Sequence, residues 1–154
     1  MPKIVQGDHN GQGKKFGIVV SKFYESISGN LLDGALGMLA EHGVADDAIT
    51  IAWTPGTFEI PLVAKKMAES DGYDAVITLG CVIRGETAHF DYVAGEAAKG
   101  IGQVSMESGC PVLFGVLTTE TREQAIARSG PNSGNKGADV AMAALEMANL
   151  MGQL

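Results

Sequence analysis

The run Gly80-Cys81-Val82-Ile83-Arg84-Gly85-Glu86-Thr87-Ala88-His89 brings a thiol, a guanidinium, a carboxylate, a hydroxyl and an imidazole together on one short stretch. A glycine-flanked turn that leads into a helix aims free backbone N–H groups and the positive end of the helix dipole at one point. That arrangement suits a phosphate or another oxyanion. The same run also reads as an ordinary strand-to-helix turn with Thr87 as N-cap, and nothing within it separates the two readings. It is neither a Walker A loop nor a GxGxxG loop, so it does not point to a nucleotide. His89, beside the turn, is placed for proton transfer, the work imidazole does most often in catalysis. A lone histidine is also commonly a surface or core residue. Cys81 has no sequence neighbour that would activate a thiol and reads as a small apolar group at a strand end. Cys110, before Pro111, reads as core.

Three further segments carry chemistry. Pro55-Gly56-Thr57-Phe58-Glu59 is a turn into a helix with an acid in the first turn. Glu59 either complements the helix dipole or accepts hydrogen bonds from a polyol, and Phe58 and Phe23 either join the core or offer flat apolar surface to a ring. Phe114, inside an apolar run, is open in the same way. Arg128-Ser129-Gly130-Pro131-Asn132-Ser133-Gly134-Asn135-Lys136-Gly137 sets two cations on a polar loop; they are simply solvated, or they reach a neighbouring chain's site, where arginine can grip a phosphate with two hydrogen bonds.

These segments have to be positioned by regular elements. Phe16 to Val20 reads as a buried strand, followed by a helix from about Ser28 to His42 with Leu31, Leu32, Ala35, Leu36 and Leu39 on one face. The pattern repeats as strand Ala48 to Trp53, helix Glu59 to Ser70, strand Asp74 to Leu79, helix Phe90 to Ser108, and strand Pro111 to Leu117. A short helix near Thr121 to Ala127 and a last helix from Lys136 to Met151 complete it. Four strands apolar on both faces and alternating with helices predict an α/β fold: a three-layer α/β/α arrangement around a four-stranded parallel sheet. Ligands bind such sheets outside the carboxyl ends of the strands, where Phe23, the Thr57 turn, the Gly80 to His89 run and Thr118-Thr119 converge. Lys3-Ile4-Val5 has no slot in this sheet and is expected to pair as a short strand with a neighbouring subunit. The last helix has Val140, Ala144, Met147 and Met151 on one stripe with Ala141, Leu145 and Ala148 beside it, a band too wide for one sheet face, and is expected to meet other subunits.

With 154 residues, one domain over 1–154 is expected. The formal net charge of −7 excludes the cationic field that non-specific nucleic-acid or anionic-membrane binding needs. Charged residues make up 19% against a usual share of about 25%, which fits a surface partly covered by partner subunits. Two cysteines make neither a disulfide framework nor a zinc site, so a reducing cytoplasm is expected. The N-terminus lacks an apolar signal core, and no apolar stretch approaches the ~20 residues of a membrane span.

In their order and spacing, Phe23, Pro55-Gly56-Thr57-Phe58-Glu59-Ile60-Pro61, Arg84-Gly85-Glu86-Thr87-Ala88-His89-Phe90, Phe114-Gly115-Val116-Leu117-Thr118 and Gly134-Asn135-Lys136-Gly137 resemble the lumazine synthases of riboflavin biosynthesis, over nearly the whole chain. The resemblance implies a flavodoxin-like topology and a transferase that joins two small-molecule substrates: 5-amino-6-ribitylamino-pyrimidinedione and 3,4-dihydroxy-2-butanone 4-phosphate. The products are 6,7-dimethyl-8-ribityllumazine, phosphate and water, and no metal or organic cofactor is implied. By the same resemblance Phe23 stacks on the pyrimidine, while Thr57, Phe58, Glu59, Cys81, Val82 and Ile83 hold its ring edge and ribityl chain. Phe114 closes the pocket from a neighbouring subunit. Gly85, Glu86 and Thr87 bind the phosphate, Arg128 of the adjacent chain completes that clamp, His89 transfers protons and Lys136 assists. A homopentamer is implied, with a 60-subunit icosahedral shell and riboflavin synthase as further partners. The chain departs from the pattern at the acid Glu86, at Pro131-Asn132-Ser133 and at Asp139, where a longer Glu is common. Two rival readings are a non-catalytic lumazine or flavin carrier, which needs neither proton shuttle nor phosphate clamp, and a Cys81/His89 hydrolase, which lacks an orienting third residue.

Overall fold

A computed structural model describes residues 1–131 and 134–154; Asn132 and Ser133, which fall in the departure at 131–133, lie outside the described residues. The element order is β1 (Phe16–Ser21), α1 (Glu25–Glu41), β2 (Ile49–Thr54), α2 (Ile60–Glu69), β3 (Ala75–Ile83), α3 (His89–Ser108), β4 (Val112–Thr119), α4 (Arg122–Ala127) and α5 (Lys136–Met151). The strands form one parallel sheet in the order β2-β1-β3-β4, which is the flavodoxin-like order, flanked by helices on both faces.

The alternation of side chains along each strand divides the interior into two cores. Ile18 and Val20 of β1 and Ala75, Ile77, Leu79 and Cys81 of β3 face α1 and α5; Val19, Val76 and Val82 face α2 and α3. β4, like the central strands, sends apolar side chains to both cores, Leu117 to one and Val116 to the other. β2 stands at the edge, and its Ile51 and Trp53 remain substantially exposed, so the expectation of four strands apolar on both faces and buried holds for β1, β3 and β4 and fails at β2. Ala48 belongs to a 3-10 turn over Asp46–Ala48 rather than to β2, and a second such turn over Thr57–Glu59 precedes α2.

Most of the wide apolar band of α5 is covered within the chain, with Met147 half-buried and Met151 exposed. Val140, Ala141, Ala144, Leu145 and Ala148 are buried against α1 as well as against the sheet. Gly137 makes this approach possible, because a Cβ there would run into the backbone carbonyl of Leu31. Sequence periodicity counted the sheet as the only cover and so assigned the remainder to other subunits; α1 covers most of that remainder and leaves Met151 exposed. The far side of α5 also holds the N-terminal segment. Asn149 Nδ2 donates to the carbonyls of Asp8 (2.9 Å) and Asn10 (3.0 Å), and Gln153 Nε2 donates to that of Gln6 (2.7 Å). Residues 1–5 continue beyond this clasp without regular structure, with Ile4 78% exposed. Among the described residues, no helix is long and apolar enough to cross a membrane.

Candidate active site

The crevice arises from how β1 and β3 end. They pair from Phe16↔Ala75 to Val20↔Leu79, and then β3 continues alone alongside β4 through Ile83↔Thr119. The helices that follow them leave on opposite faces of the sheet, and such a topological switch point opens a cleft. A cleft of about 580 Å³ lies there, within the usual range for a small-molecule site.

Its first wall is the β1–α1 connection. Lys22 N–H donates to Thr54 C=O (2.8 Å) and Phe23 N–H to Ser21 Oγ (3.2 Å), so the backbone is held up to the point where the chain leaves the sheet. Tyr24 then takes a left-handed conformation (φ 57°, ψ 54°), which costs an L-residue roughly 1–2 kcal/mol. Its carbonyl accepts from the N–H groups of both Ile27 and Ser28 at 3.0 Å, so α1 starts at Glu25, three residues before the expected Ser28. Phe23 is left 62% exposed on the cleft, its ring 4.9 Å from that of Tyr24 and edge-on at 89°.

The second wall is the turn from β2 into α2. Thr54 Oγ1 donates to Gly56 C=O (2.7 Å) and fixes the turn that presents Thr57, Phe58 and Glu59 to the cleft. Thr57 is 4% exposed, and among the described residues its hydroxyl is the one buried side-chain polar atom without a partner. A buried hydroxyl left without a partner is costly, and this one belongs to a residue that lines the cleft. Gly80 of β3 permits this packing: a Cβ there would come within 3.0 Å of Thr57 Oγ1 and 3.3 Å of Ile60 Cδ1.

The floor is the end of β3. Gly80 to Ile83, expected as the beginning of a turn, are strand residues paired with Val116 to Thr119, so Cys81, Val82 and Ile83 present strand backbone to the cleft. Burial pushes the Cys81 thiol up to about 11, outweighing the opposing pull of Arg122. Burial, with Asp74, also raises that of Cys110. A thiol held protonated is the opposite of an activated nucleophile, which removes the support for a hydrolase reading.

The turn proper is 84–88. Arg84 anchors it: its N–H donates to Thr119 C=O (2.9 Å), Nε bonds Glu120 Oε2 (2.8 Å), Nη1 lies 3.3 Å from Asp91 Oδ1, and the guanidinium sits 4.4 Å from the centre of the Phe90 ring. Among the described residues, the N–H groups of Gly85, Glu86 and Thr87 donate to no protein acceptor. Thr87 is not the N-cap that the sequence suggested. Ala88 takes that position without a side-chain cap, and Thr87 Oγ1 instead accepts from the N–H of His89 (3.3 Å), the first residue of α3. Gly85, Thr87 and His89 line the cleft, with His89 exposed.

Ten of the fourteen expected site residues therefore meet in one crevice: Phe23, Thr57, Phe58, Glu59, Cys81, Val82, Ile83, Gly85, Thr87 and His89. The others lie elsewhere in the chain. The Glu86 side chain is outside the lining; Phe114 lies in β4 opposite Thr78, half-buried against the α2/α3 core. Arg128 and Lys136 flank the α4–α5 connection, joined by Lys136 N–H donating to Arg128 C=O (2.8 Å), and Arg128 Nη1 donates to Gln124 C=O (3.0 Å). Of the other lining residues, Gly56 and Tyr24 lie in the segments expected at this rim, and neither they nor Phe90, Tyr92 and Val93 were assigned a role from the sequence. Phe90 and Val93 could have been found from their helical spacing after His89; the left-handed backbone of Tyr24, which tyrosine rarely adopts, has no such signal.

Fold and cleft together define a doubly wound parallel α/β protein with a small-molecule site at its switch point, one end aromatic and the other lined with free N–H groups. Residues 13–152 match the family model described as 6,7-dimethyl-8-ribityllumazine synthase. Relatives of that name from Clostridium kluyveri are 59% identical over 152 residues, and one from Desulfatibacillum aliphaticivorans is 57% identical over 153, each alignment covering 99% of both chains. The chain belongs to the 6,7-dimethyl-8-ribityllumazine synthase family, a family of transferases in riboflavin biosynthesis.

Proposed function

We propose that this chain, acting as one domain over 1–154, condenses 5-amino-6-(D-ribitylamino)pyrimidine-2,4-dione with 3,4-dihydroxy-2-butanone 4-phosphate to 6,7-dimethyl-8-ribityllumazine, releasing phosphate and water. The observation that carries this reading is that a single cleft joins the exposed Phe23 ring and the unpartnered Thr57 hydroxyl to the free N–H groups of the 85–87 turn, with His89 on its lining. Phe23 stacks on the pyrimidine. Thr57 and Glu59 take ribityl hydroxyls beside Phe58, and the backbone of Cys81 to Ile83 reads the ring edge. The phosphate lies on the N–H groups of Gly85, Glu86 and Thr87, the Glu86 carboxylate turning away from it. His89 moves the protons that imine formation, phosphate departure and ring closure require. Holding both substrates together supplies several kcal/mol through orientation alone.

Phe114, Arg128 and Lys136, which do not line this cleft, act in the site of an adjacent copy: Phe114 closes it, Arg128 completes the phosphate clamp, and Lys136 adds positive charge. The assembly is a homopentamer, able to build further into an icosahedral shell, in which Lys3-Ile4-Val5 pairs with a neighbour's sheet. The open edge of β2 and the exposed Ile4, Ile51, Trp53 and Leu62 support such contacts. Riboflavin synthase, which consumes the lumazine, is the partner this reading implies, and the cytoplasm is its compartment. Incubating the purified protein with both substrates and following lumazine absorbance and fluorescence tests the activity. Product formation supports it, whereas binding without turnover would favour a carrier.

A further inference from the structure

Tyr24 combines two features that do not ordinarily occur together. It is the one non-glycine among the described residues with a positive φ, at a bend where glycine or asparagine would fit without strain, and it carries a large ring. That ring is half-buried, packs against the core between the sheet and α1, and meets Phe23 edge-on at 4.9 Å. The Phe23 backbone is fixed on both sides, by Ser21 Oγ at its N–H and by Ser28 Oγ, which donates to its carbonyl at 3.5 Å. Its exposed ring has Tyr24 as its aromatic neighbour. Strained backbone persists where the surroundings hold it in place, and such positions concentrate at ligand sites.

We propose that Tyr24 is a positioning residue for the pyrimidine substrate: its left-handed backbone turns Phe23 out of the sheet, and its ring holds the Phe23 ring in the orientation that stacks. The proposal rests on the reading that Phe23 stacks on the pyrimidine. A preset ring spares the ligand the ordering of a free side chain, so the benefit appears in pyrimidine binding and leaves the phosphate-bearing substrate alone.

Tyr24→Gly keeps the left-handed backbone and deletes the ring, whereas Tyr24→Phe keeps the ring. Steady-state kinetics on the assembled enzyme should give Tyr24→Phe near wild type. Tyr24→Gly should raise KM for the pyrimidine roughly 3- to 10-fold with little change in kcat or in KM for the butanone phosphate, the range expected for losing one aromatic pair. In a Phe23→Ala background the same change should have no further effect, because residues in contact are non-additive. Equal shifts in both KM values, no shift, or full additivity in the double variant would overturn the proposal. If Tyr24→Gly does not fold, Tyr24→Asn, which also tolerates this backbone, decides the matter by the same selective rise in pyrimidine KM, and a wild-type KM overturns it. A Phe23→Ala variant with unchanged pyrimidine KM overturns the stacking reading and this proposal together; an impaired Phe23→Ala beside a silent Tyr24→Gly overturns this proposal alone.

Discussion

His89, to which we assign proton transfer, is the first residue of α3, exposed on the cleft, with its backbone N–H tied to Thr87. Replacing it with alanine should slow lumazine formation by up to roughly 10²-fold while leaving pyrimidine binding nearly intact. Single-turnover rates set against equilibrium binding would separate the two effects, and an unchanged rate would remove its proton-transfer role. Cys81 makes the opposite case. With its thiol raised to about 11 by burial, it should resist iodoacetamide at pH 8 far more than a free cysteine and react faster as the pH approaches 11, read by mass spectrometry peptide by peptide. The sign for stability follows. The native thiol holds its proton more tightly than the unfolded one, so its contribution is complete below the ordinary cysteine range and is lost as pH rises toward 11. At this scale the sequence named most of the cleft, because Phe23, Thr57 to Glu59 and His89 each follow a strand. It misjudged Gly80 to Ile83, where glycine signalled a turn; in the structure glycine is required there because Thr57 lies against it.

At the scale of elements, α1 and α5 form the pair on which the cationic loop depends. Asn135 caps α5 by accepting from Ala138 N–H (3.0 Å), and its amide nitrogen donates to Asn30 C=O (3.0 Å) on α1 and to Gly130 C=O (3.3 Å). Asn135→Ala should lower stability by about 1–2 kcal/mol, the upper part of the usual cap range because the other two bonds go with it. Chemical denaturation would measure this. Gly137→Ala should be worse, since the added methyl has only the Leu31 backbone to push against and α5 must lift from α1. Helix and strand types were legible from periodicity, and α4, expected near Thr121 to Ala127, begins in the structure with a reciprocal Thr121–Gln124 capping box. What periodicity could not show was which element covers which. The α5 band looked surplus because α1, more than a hundred residues earlier in the chain, was not counted as its partner.

For the whole molecule, the Phe114, Arg128 and Lys136 assignments require an assembled enzyme. Light scattering on active protein should give a pentamer mass or that of a larger shell, and a catalytically competent monomer would defeat the shared site. Arg128→Ala should raise KM for the phosphorylated substrate about 10- to 100-fold and spare that for the pyrimidine, as losing a charge-assisted hydrogen bond does. Mixing it with the slowed His89→Ala variant, at phosphorylated-substrate concentrations too low for Arg128→Ala alone, tests the sharing directly. If subunits exchange, hybrid rings regain activity where an intact His89 meets a neighbour's intact Arg128, and no recovery in exchanged hybrids would place Arg128 in its own chain's site. The clasp of Asn149 and Gln153 on residues 6–10 bears on when such assembly can begin. The side chains that direct the N-terminal arm lie 139 to 147 residues further along the chain, so during translation the arm gains its direction only once α5 has left the ribosome. Domains fold as units while they are synthesised. In the assembly proposed above, chains still lacking α5 therefore cannot offer this arm to a neighbour in its folded geometry, and association through it waits for α5.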